Sequence, residues 1–162
     1  PTVDVDGDVF IPQAYVTNPV ERLNLYRRLA DLDAEAEVAA FRDELVDRFG
    51  PAPAEIDTLL RLAAMRPLAM RLRLPRVTWK NQRLFLSIPE PSEDTYFHQK
   101  MFNPLLEALA TGGMRYVLKD NRAGKLRAIV QDIASLEAAQ TTLARLADAV
   151  EVLMETAAET AA

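Results

Sequence analysis

The stretch that decides the fold class is Val77-Thr78-Trp79-Lys80-Asn81-Gln82-Arg83-Leu84-Phe85-Leu86-Ser87-Ile88. Two runs rich in β-branched and aromatic residues flank a two-residue Asn-Gln break, which predicts a tight hairpin. Gln is a weaker second residue than Gly for such a turn. A second hairpin is expected from Arg115–Lys119 and Lys125–Val130 across the turn 120–124. A short strand is expected over Thr2–Asp6, where Val3 and Val5 alternate with polar residues.

Helices fill the space between. Asn18 as N-cap and Pro19 at the first helical position start one helix. Leu23, Tyr26, Leu29 and Ala30 are read as its inward face. A second helix is expected over about 34–48, with Val38, Phe41, Leu45 and Phe49 as its apolar stripe and Gly50 ending it. Pro53 starts a third, with Ile56, Leu59, Leu60 and Ala63 inward. Pro67 removes a backbone donor inside that helix, so a kink or break is expected near Arg66. Asn103-Pro104 repeats the helix-start signal. Ser135 caps a long terminal helix carrying Leu136, Leu143, Leu146, Val150 and Leu153 inward. The expected architecture is α+β: helices on a small, largely antiparallel sheet with two hairpins. Residues 1–155 are read as a single domain, and 156–162, which hold only Ala, Thr and Glu, as a frayed tail.

Composition narrows the chemistry. Of 162 residues, 49% are hydrophobic and 27% charged, as in an ordinary globular chain. The absence of cysteine excludes disulfides and Cys-based zinc sites. It also suits a reducing cytosol. No stretch has the length and apolarity of a membrane span or a signal peptide. The chain opens on Pro1 rather than Met, so a piece of a longer protein is expected.

A formal net charge of −5 weighs against a dedicated nucleic-acid binder. Yet between Thr58 and Pro89 there is no Asp or Glu, while Arg61, Arg66, Arg71, Arg73, Arg76, Lys80 and Arg83 are all present. That run has two readings: a patch for an acidic partner or phosphate, or a solvated face balancing the acidic first half. The second is favoured, because a run in one dimension need not form one surface.

No phosphate-binding glycine loop and no nucleophile elbow is present. His98, the lone histidine, has Glu90, Glu93 and Asp94 nearby in sequence, but their spacing fits no metal motif; an exposed residue near a helix start is the simpler reading. Trp79, Phe85, Tyr96, Phe97 and Phe102 raise a stacking platform for single-stranded nucleic acid. Burial of Trp79, Phe85 and Phe102 between sheet and helix is favoured instead, since burying a ring contributes more than an exposed stacking contact.

Three motifs in order carry a family resemblance: Ile11-Pro12-x-x-Tyr15-Val16, Arg22-Leu23-x-x-Tyr26-Arg27-Arg28-Leu29-Ala30, and Glu44-Leu45-Val46-Asp47-Arg48-Phe49-Gly50-Pro51. With Leu59–Arg66 downstream, they resemble the C-terminal domain of the bacterial transcription-repair coupling factor. The likeness covers about 10–110 well and the remainder in pattern only. It implies a non-catalytic, cofactor-free domain of a cytoplasmic ATP-dependent DNA translocase. That translocase pushes stalled RNA polymerase off DNA. Through an excinuclease-B-like module it recruits excinuclease A, the damage-recognition ATPase of nucleotide excision repair. The domain would dock on that module and mask it, restraining recruitment and translocation alike. The resemblance places the partner-binding role on Glu44 and Asp47, which are three residues apart and share one helix face. The plainer reading is a solvated face in which Asp43 or Arg48 pairs locally. One of Arg22, Arg27 and Arg28 is read either as an anchor between the two helices or as plain surface charge. The competing function is a nucleic-acid-binding module using the basic Arg61–Arg83 stretch with Trp79; a small enzyme built on His98 is a third.

Overall fold

The computed structural model describes residues 1–161. The element order is β1 (Thr2–Val5), α1 (Pro19–Ala30), α2 (Glu35–Phe49), α3 (Ala54–Arg71), β2 (Arg76–Lys80), β3 (Arg83–Ser87), α4 (Phe102–Thr111), β4 (Tyr116–Asp120), β5 (Leu126–Val130) and α5 (Leu136–Ala161). The α+β expectation holds, with one five-stranded mixed sheet. The chain divides into two compact units: Gly7–Pro67, and Pro1–Asp6 with Leu68–Ala162. The boundary falls within α3.

In the helical unit, Asn18 caps α1 through its side chain, which accepts from the Val20 and Glu21 amides. Leu25 and Leu29 are the buried residues of α1, whereas Leu23 is 49% exposed and Ala30 is also exposed. The expected Leu23/Ala30 face is thus corrected: an i, i+4 leucine pair, flanked by half-buried Tyr26, sets the inward stripe. Val38, Phe41 and Leu45 of α2 and Ile56, Leu60 and Ala63 of α3 complete this core. Gly50 ends α2 with a φ of 93°, its amide bonded to the Val46 carbonyl. A residue with a β-carbon rarely takes that backbone conformation.

The three family-like motifs turn out to be one knot of hydrogen bonds. The Tyr15 and Val16 amides donate to the Pro12 carbonyl. The Ile11 amide donates to the Tyr26 hydroxyl at 2.6 Å. The Tyr15 hydroxyl lies 3.1 Å from the Leu45 carbonyl and 2.8 Å from that of Gly50, tying the lead-in segment to the end of α2. Burial pushes the Tyr15 hydroxyl pKa up. Arg22 donates to the Val16 carbonyl, and Arg66 reaches the Leu29, Ala30 and Leu32 carbonyls at and just beyond the C-terminus of α1.

Pro67 neither ends nor interrupts α3, which continues to Arg71. The lost donor costs one hydrogen bond near the helix end. Continuing the helix buries Leu68, Ala69 and Leu72, each at most 4% exposed. That burial outweighs one bond.

In the sheet unit the strand order is β1-β2-β3-β5-β4. β1 runs parallel to β2; β2–β3, β3–β5 and β5–β4 are antiparallel. The Asn81-Gln82 hairpin forms, with both residues at positive φ, 52° and 58°. Helix starts before Asn103, correcting that signal: Phe97–Met101 form a π-helical turn that leads directly into α4. The Asp94 carboxylate accepts from the Phe97 amide at its head. Ser135 caps α5 as expected, accepting from the Ala138 amide. The tail expected to fray over 156–162 is helical through Ala161, with exposed side chains, and Ala162 lies outside the described residues.

Strand alternation separates the two faces of the sheet. Val77, Leu84, Leu86, Ala128 and Val130 lie on one face and are fully buried. Leu105 and Leu109 of α4 and Leu143 and Leu146 of α5 are buried in the same unit. Arg83, Phe85 and Ser87 of β3 point the other way.

Candidate docking face on the second helix

Glu44 and Asp47 lie three residues apart on α2, outside the buried stripe of Val38, Phe41 and Leu45. Their situations differ. The half-buried Glu44 takes both arms of the Arg28 guanidinium, with Nη2–Oε1 at 2.9 Å. Arg48, one turn along α2, adds a contact to Oε2 at 3.3 Å and also pairs with Glu21. The Arg28 guanidinium holds the Glu44 carboxyl below the usual carboxylate range, and Glu44 in turn raises the Arg28 pKa. Both arginines lie over aromatic rings, Arg28 at 4.7 Å from the Phe41 centroid and Arg48 at 4.8 Å from that of Phe49. The chain Arg28–Glu44–Arg48–Glu21 is neutral overall and staples α1 to α2.

Of the anchor candidates among Arg22, Arg27 and Arg28, Arg28 is therefore the one that joins the helix pair through a carboxylate. Arg22 serves a backbone carbonyl, and Arg27 reaches only Asn24, at 3.5 Å. The local pairing by Arg48 holds for Glu44 but not for Asp47. Asp47 is exposed and makes no ion pair among the described residues. Asp43 is exposed in the same way. A depression of about 460 Å³, lined by Asn18, Glu21, Asn24, Arg28 and Arg48 among others, lies beside this network.

The remaining candidates disperse. The 61–83 basic run falls across both units, and most of its cations are engaged one by one. Arg66 caps α1, Arg71 pairs with Asp148 and Glu151, Arg73 with Asp94, and Arg76 with Asp4. Trp79 points to the buried face, opposite Leu84, and donates its indole N–H to the Ile133 carbonyl. Phe97 is fully buried. Phe85 corrects the expectation of a core ring: it stands on the open face of the sheet with the Arg83 and Arg127 guanidiniums over it at 5.1 and 5.0 Å. The period-two alternation of β3 already carried that placement. His98 sits half-buried in the π-helical turn rather than exposed, its Nε2 against the Pro89 carbonyl and its ring stacked on Phe102 at 5.3 Å. Among the described residues no three His, Asp or Glu side chains gather as metal ligands, and no helix is long and apolar enough to cross a membrane.

Comparison with known proteins agrees with this fold. The chain superimposes on the crystal structure of the C-terminal domain of transcription-repair coupling factor with a TM-score of 0.71, covering 96% of this chain and 95% of that one at 16% identity. It is 40% identical over 74 residues to the transcription-repair-coupling factor of Rickettsia bellii, which is 46% of this chain and 7% of that protein. With the factor of Bacillus subtilis it shares 28% over 100 residues, 62% of this chain and 8% of that protein. The chain thus spans less than a tenth of the length of these relatives. A sequence model of the TRCF domain matches residues 5–98. That match covers more than half of the sequence, and the chain belongs to the TRCF domain family.

Proposed function

We propose that this chain is a non-catalytic regulatory domain of a bacterial transcription-repair coupling DNA translocase working in the cytoplasm. It docks on the excinuclease-B-like module of its own parent, masks recruitment of excinuclease A and restrains translocation along DNA. RNA polymerase is met only through the parent. The observation that carries this reading is the pair on α2: an exposed Asp47 without an ion pair among the described residues, one turn from a Glu44 that two arginines hold fixed and ionised. Asp47 is available for a bidentate contact with a partner arginine. Glu44 keeps accepting capacity beyond its present partners, since a carboxylate offers about four lone-pair sites. Surface pairs of this kind are screened by salt, which suits a releasable clamp.

The test is direct binding of this domain to the isolated module. Tethering raises effective concentration into about the millimolar range, so a weak affinity between the separate pieces is compatible with a clamp. Asp47→Arg is the informative variant, because Asp47 makes no ion pair among the described residues. Glu44→Arg also disturbs the α1–α2 staple, so Glu44→Gln accompanies it. Undiminished binding by Asp47→Arg would sink the proposed contact.

A further inference from the structure

The open face of the sheet carries charge that its own unit does not neutralise. Strand register sets directly opposite one another Lys80 and Arg83, on β2 and β3, and Lys119 and Arg127, on β4 and β5. Like charges placed so across neighbouring strands repel. Asp4 and Asp6 lie at the β1 margin, where they pair with Arg76 and Lys80. Arg83, Lys119 and Arg127 make no ion pair among the described residues. The Arg127 Nε is shielded from solvent without a hydrogen-bond partner among the described residues. These groups line a shallow cavity of about 430 Å³ whose walls, among the described residues, include no carboxylate.

We infer that this face binds the phosphate backbone of a nucleic-acid strand, through Arg83, Lys119 and Arg127. Three features select phosphate. Guanidinium forks match phosphate oxygens in bidentate geometry. The two opposed like-charge pairs are relieved by a polyanion lying across the strands. An acidic peptide would need apolar anchor pockets, and here the central ring, Phe85, is already covered by two guanidiniums. For the same reason Phe85 is a prop for the arginines, and recognition rests on charge with little base stacking. The residues differ from the linear basic run: only Arg83 belongs to it, while Lys119 and Arg127 arrive from the second hairpin. The inference does not depend on the α2 docking role, which lies in the other unit.

The experiment is fluorescence anisotropy of labelled 20-base single-stranded and duplex DNA with the full chain. Binding is expected in the micromolar range at about 50 mM salt. Three neutralised phosphates predict about a 40-fold loss of duplex affinity on raising salt to about 200 mM. Arg83→Gln with Lys119→Gln should weaken binding at least tenfold and flatten the salt slope by about two. The charge-preserving Arg83→Lys with Lys119→Arg should retain the slope. Arg27→Gln, on the helical unit, should change nothing. The inference fails if about 100 µM protein binds neither probe at low salt, or if Arg27→Gln weakens binding as much as the paired change. It also fails if polyglutamate of equal length displaces the DNA at equal or lower concentration, which would mark an acidic-protein surface.

Discussion

The helical unit and the open sheet face treat charge in opposite ways. On α1 and α2, cations find partners three or four residues away or on the neighbouring helix: Arg28 and Arg48 meet Glu44, Arg48 meets Glu21, and Arg42 meets Asp57. Among the described residues of α2, what remains without an ion pair is acidic: Glu35, Glu37, Asp43 and Asp47. On the sheet, pairing is set by register, and register brings lysine against arginine twice. What remains without an ion pair on that face is basic. A net charge of −5 therefore conceals two surfaces of opposite sign, and the sum describes neither.

The largest effects test whether the two units are separate in energy. Phe41→Ala is expected to destabilise by about 3–5 kcal/mol and Leu84→Ala by about 2–5 kcal/mol, each emptying a fully packed site. Hydrogen exchange should lose protection in α1 and α2 for the first, and in β2, β3 and β5 for the second. Equal loss everywhere in either variant would erase the division. Next, Arg66→Ala should cost about 1.5–3 kcal/mol in denaturant unfolding, since it strips a charged donor from three carbonyls at the end of α1. Tyr15→Phe should cost about 1 kcal/mol by the same measurement, through the lost bond to the end of α2.

The smallest effects separate the two charge regimes. A double-mutant cycle on Arg28 and Glu44 should return a coupling of about 0.2–1 kcal/mol that shrinks with salt. Because the folded Glu44 pKa is lowered, this contribution is fully present above the unfolded value of about 4.3. It is lost as pH falls through the lower folded value. Urea titrations from about pH 6 down to about pH 3 should show that loss in the wild type and not in Glu44→Gln. On the sheet the sign reverses: Lys119→Glu should stabilise by about 0.2–1 kcal/mol, by turning a repelling pair with Arg127 into an attracting one. A destabilised Lys119→Glu would show that the register repulsion is already screened.

Local signals are the legible ones. Asn18-Pro19, Gly50 and Ser135 set helix ends through their own backbone chemistry, and α2 carries its stripe at an unambiguous spacing. In α1, apolar residues at both 23 and 25 offer two phases, and the choice of Leu25 depends on the core it meets. Pro67 misleads because the burial that keeps α3 helical comes from residues after it. The parallel partner of β1 lies more than seventy positions away, beyond any window of sequence. The α2 carboxylates are legible as a pair by spacing, but their inequality is not, because it depends on Arg28 from another helix. The sheet face is hidden in the sequence because its cations come from both hairpins and meet only through the β3–β5 ladder.

β1 carries a consequence for how the chain reaches this fold. Thr2 pairs with Arg76 and Val5 with Trp79, so the strand closes a loop that holds the entire helical unit. The entropy of closing such a loop grows only slowly with length, but the contact is of high sequence separation and forms slowly. Both hairpins close from near neighbours, whereas β1 pairs across the largest separation in the sheet, secured by the Thr2 amide on the Pro75 carbonyl and by the Asp4 carboxylate on Arg76 and Thr78. With β1 undocked, β2 is an uncovered edge, so opening of this one strand exposes the sheet to strand-mediated aggregation.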